Sequence, residues 1–393
     1  MGDAVIVSAL RTPIADARKG ALAALTLPEI GKVAVAEALK RTGIPAEDVD
    51  DVVLGEVMQG GGCVARYIAL DLGLPPDTPG LAVQRHCATG MAAVTTAAAN
   101  IRAGMDTVVI AGGVESMSRV PQTFMPSPMP FGGVQPWMSD SHPATDPEAP
   151  TTNMGITVGE NTAAQCGITR EEQDEWAYHS HLRAVAAIDD GRFAQEIIAV
   201  EIPGRKGEVH VFDTDEHPRR DTSLEKLASL PTIFKAGGTV TAGNSSSLND
   251  GSAALVVVDE AYAQAHGLQP LAVVRSWAAA GVPPRETGLA PTVAIPRAVE
   301  RAGLKLDDMK LVEINEAFAS MAVASSRVLG FPHEIVNVNG GAVGLGHPVA
   351  CSGARLLVTL IHELRRRGGG YGVGALCAGG GMGMATVLEV LPA

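Results

Sequence analysis

Two thiols and one imidazole in this chain stand where a substrate could reach them. Cys87 lies in QRHCATGMAAV, Cys377 in ALCAGGGMG, and His347 in GLGHP between them. Each cysteine ends a β-like run, and the small residues that follow leave its sulfur approachable. A thiolate is a strong nucleophile, and an imidazole moves protons near neutral pH. The set points to covalent catalysis through sulfur with proton transfer beside it. Cys87 also precedes a helix, whose positive end predicts a more acidic thiol. Against this stands the frequent use of cysteine as an inert core residue. The glycine-rich, helix-entering setting of Cys87 and the Gly–His–Pro turn of His347 are poor places for core packing. His86 is expected to point away along a strand and is not counted as the base. Cys166 reads as structural.

These groups need elements to position them, and the chain repeats those elements. Val35–Val57 (VAEALKRTGIPAEDVDDVVLGEV) aligns without a gap to Ile295–Ala317 (IPRAVERAGLKLDDMKLVEINEA). Ala38 meets Ala298, Gly43 meets Gly303, Asp48 meets Asp308 and Glu56 meets Glu316. Each copy reads as an amphipathic helix, a glycine stop and a buried strand. The repeat continues. LAVQRH leads to Cys87, a helix apolar nearly all round and the strand DTVVIAGG. EIVNVNG leads through GLGHP to the helix SGARLLVTLIHELRRRG and the strand GVGALCAGGG. In this reading His347 takes the place in the second copy that corresponds to Cys87.

Such alternation predicts an α/β fold with a mixed sheet in each half. The halves are expected at 1–118 plus 251–270 and at 271–393. MATVLEV follows GGG directly in the second half, whereas AALVVVD follows Ser118 only after a long proline-rich insertion, 119–250. Such an insertion is expected to act as a lid or binding loop, or as a packing arm. The GGGMG run is not a dinucleotide loop, because a strand follows it.

Composition narrows the functional classes. The 46% hydrophobic and 4% aromatic content calls for a core of Ala, Val, Leu, Ile and Gly. A net charge of −13 argues against nucleic acid as the main partner. The basic pairs Arg205–Lys206 and Arg219–Arg220 remain candidates for a small phosphate-bearing ligand. Five cysteines without a CxxC give no sign of a zinc site. Their odd number and the lack of a signal-like start favour a reducing cytoplasm. Apolar runs are too short for a membrane span.

Taken in order, HCATG, GGVESMSR, GTVTAGNSSSLNDG, INEAFA, GGAVGLGHPVACSGAR and LCAGGGMG resemble the motifs of the thiolases, over the whole chain. The resemblance implies a duplicated, five-layered αβαβα fold with 119–250 as a CoA-binding loop domain. It implies CoA-dependent cleavage of a 3-ketoacyl-CoA, or the reverse condensation of two acetyl-CoA. Cys87 would carry the acyl group, His347 would activate it, and Cys377 would handle the proton at the α-carbon or the CoA thiol. Asn315 would hold a water that forms one oxyanion hole with His347. The backbone N–H groups of Cys87 and Gly379 would form the other. Losing one such donor typically costs roughly 3–4 kcal/mol of barrier. On spacing alone, Asn315 also suits a helix cap. Ser246, Arg219, Met154, Phe234, Ala242, Gly243, Leu248, Ala317 and Phe318 would contact substrate or CoA. CoA would be a co-substrate with no tightly bound cofactor and no metal, and the protein a homodimer or homotetramer.

The chain departs from the family pattern at Thr89, His86, Gln84, Cys63, Ala350 and Cys351, none of them in a catalytic role. Asn153 stands before Met154 where members that prefer acetoacetyl-CoA often carry His, so longer or branched acyl chains are expected here. A ketoacyl-synthase-like condensing enzyme and a non-catalytic acyl-CoA-binding paralogue are the alternatives. The joint presence of Cys87, His347 and Cys377 speaks against both.

Overall fold

The computed structural model describes residues 2–59, 61–204 and 207–393. The Arg205–Lys206 pair lies outside the described residues. Strands β1 (Ala4–Arg11), β2 (Asp51–Gly55), β3 (Leu81–Val83), β4 (Val108–Ser116), β5 (Asn249–Asp259), β6 (Ala272–Gly281), β7 (Leu311–Ile314), β8 (Gly370–Ala378) and β9 (Met382–Val390) run through one sheet. Their order is β7-β8-β9-β6-β1-β5-β4-β2-β3. In the first half β1, β5 and β4 are antiparallel neighbours, and β2 joins β4 and β3 in parallel. The second half repeats this with β6, β9 and β8 antiparallel and β7 parallel to β8. The halves meet through β1 and β6, at Val5–Val273 and Ile6–Ala272.

The duplicated segment folds twice in the same way. Helices α1 (Leu27–Thr42) and α3 (Ala290–Arg301) are each followed by a left-handed glycine, Gly43 at φ 68° and Gly303 at φ 71°. Short 3-10 turns at Ala46–Asp48 and Leu306–Asp308 then lead into β2 and β7. One expected strand is incomplete. In EIVNVNG, His333–Ile335 is a 3-10 turn, and Val336 makes an isolated bridge to Val312. The reason is Asn337, at φ 46°. Its side-chain amide accepts from the Ile314 N–H and donates to the Ile314 carbonyl, both at 2.8 Å, where a ladder would otherwise form.

Five layers result. Helix α1 covers one face of the first half-sheet, with Ile30, Ala34 and Ala38 buried against Val52, Leu54 and Ile110. Helices α3 and α4 (Ala319–Leu329) cover the outer face of the second half-sheet. Helices α2 (Thr89–Arg102) and α5 (Val349–Arg366) form the middle layer. Met91, Val94 and Ile101 pack there with Leu357, Leu360 and Ile361, each fully or almost fully buried. Side chains of this kind contribute roughly 1.5–3 kcal/mol apiece.

Small residues let α2 and α5 touch. A Cβ on Gly90 would lie 2.6 Å from the Ala350 carbonyl oxygen, and one on Gly353 would lie 2.4 Å from the Met91 nitrogen. Helix α2 begins two residues after Cys87, and α5 begins two residues after His347.

Between β4 and β5 the insertion forms, among the described residues, two hairpins, a π-helix at Gly155–Glu160 and three α-helices, the longest at Arg170–Asp189. Strand β5 already includes Asn249 and Asp250. Among the described residues, no helix is long and apolar enough to cross a membrane.

Candidate active site

The Cys87 turn is made by its own backbone. Ala88 N–H donates to Arg85 O and Thr89 N–H to His86 O, both at 3.0 Å, and the Thr89 hydroxyl accepts from Arg85 N–H at 2.7 Å. Gly55 makes room for Thr89, whose methyl would lie 2.2 Å from any Cβ there. His86 occupies the left-handed region at φ 45°. Its ring does not point away along a strand, as expected, but lies against Gly379.

The sulfur of half-buried Cys87 lies near its own backbone N–H and that of Gly379, both of which favour the thiolate. Desolvation still pushes the thiol up to about 11, and the nearby Glu115 carboxylate adds to this. Where the helix end alone predicts a more acidic thiol, burial holds Cys87 protonated at rest. Glu115 ends β4 and accepts from Met58 N–H and Ala350 N–H at 3.2 and 3.1 Å. Burial pushes its own pKa up to about 7.

His347 is fixed at three points. Gly346 turns at φ 103°, against Asn249. Asn249 Oδ1 accepts the His347 backbone N–H at 2.8 Å, and Ser352 Oγ lies 2.6 Å from Nδ1. The Ser352 hydroxyl donates to Pro348 O at 2.9 Å, so Nδ1 carries the proton and donates to Ser352. Nε2 is then the free base, and this buried nitrogen has no protein partner among the described residues. Burial, then the Arg355 charge, depress the His347 pKa to about 4. The resting pair is thiol and neutral imidazole.

Cys377 closes β8, fully enclosed, with its thiol 3.3 Å from Met321 Sδ. Burial, and next the proximity of Cys87, hold its pKa well above the ordinary thiol value. Beyond it, Gly380 and Gly381 at φ 84° and 79° form the turn into β9. Asn315 follows β7, and both polar atoms of its amide are buried without a protein partner among the described residues. It caps no helix, because α4 begins at Ala319 with Phe318 at its cap. Glu316 is structural: its carboxylate accepts from Trp176, Ser180, Asn337 and the Val343 N–H.

The expected substrate-contacting residues fall at several places in the structure. Ser246 and Ala317 are joined by hydrogen bonds from both the Ser246 N–H and its hydroxyl to the Ala317 carbonyl. Phe318 bridges Ser245 and stacks edge-on with Phe234 at 5.9 Å. Leu248 is exposed and bridges His347. Met154 lies against Gly379, as His86 does. Ala242 is exposed, while Gly243 is buried against Leu227 and Leu230. Arg219 is exposed, whereas Arg220 is committed to Asp189 through two bonds of 2.8 and 2.6 Å. Asn153 turns its side chain to the Ile156 N–H at 3.3 Å. Sequence reasoning missed Glu115, Asn249, Ser352 and the turn of His86. A lone carboxylate ending an apolar strand, in GGVESMSR, was the available signal for Glu115.

Comparison with known proteins identifies the assembly. A model described as "Thiolase, N-terminal domain" matches residues 4–261, and "Thiolase, C-terminal domain" matches residues 268–390. An acetyl-CoA acetyltransferase of Pseudomonas aeruginosa is 44% identical, over 99% of both chains. A 3-ketoacyl-CoA thiolase of Bacillus subtilis is 43% identical over 99% of this chain and 100% of its own. The crystal structure of the Bacillus anthracis acetyl-CoA acetyltransferase superposes with a TM-score of 0.93 at 43% identity, covering 100% of this chain and 99% of the other. Human mitochondrial 3-ketoacyl-CoA thiolase gives 0.91 at 37% identity, over 99% of each chain.

Proposed function

This chain belongs to the thiolase family, and we propose that its acyl transfer runs through a Cys87 thioester with His347 and Cys377 moving the protons. The reaction is thiolytic cleavage of a 3-ketoacyl-CoA, or the reverse condensation. His347 Nε2 takes the Cys87 proton as the sulfur attacks the ketone carbon. The Cα–Cβ bond then breaks, leaving the shortened acyl group on Cys87 and the enolate of acetyl-CoA. Cys377 protonates the enolate carbon and becomes a thiolate. That thiolate takes the proton of an incoming CoA, whose sulfur attacks the Cys87 thioester. Cys87 leaves and recovers its proton from His347.

The observation that carries this reading is the closeness of the Cys87 and Gly379 N–H groups to the Cys87 sulfur, with the Cys377 thiol near it. The same donors suit the oxyanion that forms on the attacked ketone. The unpartnered amide of Asn315 and Nε2 of His347 suit a water and the enolate oxygen. A neutral resting thiol is consistent with the scheme, because the proton moves only as the carbonyl arrives.

CoA would lie along Ser246, Ala317, Phe318, Met154 and Phe234, with exposed Arg219 toward its phosphates. The insertion 119–250 serves as the CoA-binding loop domain. Asn153, occupied at a helix start, leaves acyl length unrestricted on that side. The hairpin Thr123–Trp137 exposes Phe124, Met125, Phe131, Val134 and Trp137, which supports a homodimer or homotetramer built on a second copy. All five cysteines are free, in keeping with a cytoplasmic enzyme. Acetoacetyl-CoA and CoA should yield acetyl-CoA, and Cys87→Ala should reduce the rate to background. Undiminished turnover in Cys87→Ala would refute the proposal.

A further inference from the structure

We propose that His86 selects 3-ketoacyl-CoA substrates whose acyl chain bears a hydroxyl or keto oxygen beyond the ketone under attack. The inference rests on the Cys87 thioester reading. His86 directly precedes the nucleophile, and its backbone at φ 45° turns the ring toward Gly379. The side chain that Gly379 lacks would meet His86 Cγ, Met154 Sδ and Ser141 Cβ, each at 3.6 Å. The Gly379 N–H lies near the Cys87 sulfur. The imidazole therefore borders the space that an acyl group on Cys87 enters.

Of the three side chains, His86 alone has an N–H or O–H donor to spare. Met154 presents a thioether. The Ser141 hydroxyl donates to Thr151 O at 2.7 Å and lies 2.8 Å from His142 Nδ1. The half-buried His86 ring is shifted downward in pKa by burial alone, so it is neutral at pH 7 and bonded to no protein group among the described residues. A neutral imidazole offers one N–H donor and one acceptor nitrogen. An alkyl chain packed over it would strip its water and leave those atoms unpaired. A hydroxyl or keto oxygen on the chain would pair with them, and sites built this way discriminate against the analogue that lacks the group.

Histidine also tolerates left-handed backbone better than most residues. The test must separate that role from recognition. We would measure kcat/KM for 3-oxohexanoyl-CoA and its 5-hydroxy form, with intact-protein mass spectra of the Cys87 thioester. Wild type should favour the hydroxylated substrate roughly three- to tenfold, the range that one neutral hydrogen bond supplies. His86→Gly keeps the turn and removes the ring, and should bring the ratio near one. His86→Asn keeps both the turn and a donor, and should retain part of the preference. Equal rates in wild type, or an unchanged ratio in His86→Gly, would overturn the proposal alone. No thioester on Cys87 with either substrate would overturn the reading beneath it as well.

Discussion

The turn that carries Cys87 and the turn that carries His347 enter two helices that cross at Gly90 and Gly353, yet they are held in opposite ways. Backbone bonds and the Thr89 hydroxyl shape the first, and its half-buried sulfur lies near the Glu115 carboxylate and Cys377. The second is buried and fixed at the backbone by Asn249 and at the ring by Ser352. Duplication supplied one scaffold, and the two copies then took on different demands. A nucleophile must meet substrate and is left approachable. A base must keep one tautomer and one direction, so it is clamped and enclosed.

That contrast breaks first at His347. His347→Asn should lower kcat roughly 10²–10⁴-fold, in the range of a lost general base. The same variant tests its burial. The folded chain holds the His347 pKa at about 4, below the unfolded value of roughly 6.5. Stability from the neutral ring is thus fully present above the unfolded value and lost as pH falls toward the folded one. Between pH 7 and 4.5, wild type should lose roughly 2 kcal/mol more unfolding free energy than His347→Asn. Parallel losses in denaturant titrations would show that the ring is not held neutral by the fold.

A smaller effect sharpens the contrast at the clamp itself. Ser352→Ala removes the acceptor for Nδ1–H and should reduce kcat roughly five- to tenfold with KM little changed. Ser352→Thr, which keeps the hydroxyl, should recover most of that loss. A Thr variant as slow as the Ala variant would mean that packing, not the tautomer, is what Ser352 supplies.

Much of this design is legible in the chain. The gapless repeat announces the paired α1–β2 and α3–β7 units, because glycine stops and apolar periodicity report directly on helix ends and buried faces. Cys87 before α2 and Cys377 at the end of β8 follow from the same signals. Other features depend on contacts that no local pattern encodes. The ring direction of His86 depends on one non-glycine residue turning left-handed. Loss of the strand at Val336 depends on the Asn337 amide taking the place of a ladder. The Cys87 pKa depends on how much surrounding protein excludes water.

The central claim is the division of labour between two sulfurs, with Cys87 carrying the acyl group and Cys377 the proton. It is tested most directly by mixing Cys377→Ala with acetoacetyl-CoA and locating the acyl group by mass spectrometry of its peptides. The account predicts an acetyl thioester on Cys87 that accumulates while turnover falls roughly 10²–10⁴-fold. An unmodified Cys87 in that variant, together with an acyl group on Cys377 in the wild-type enzyme, would contradict it.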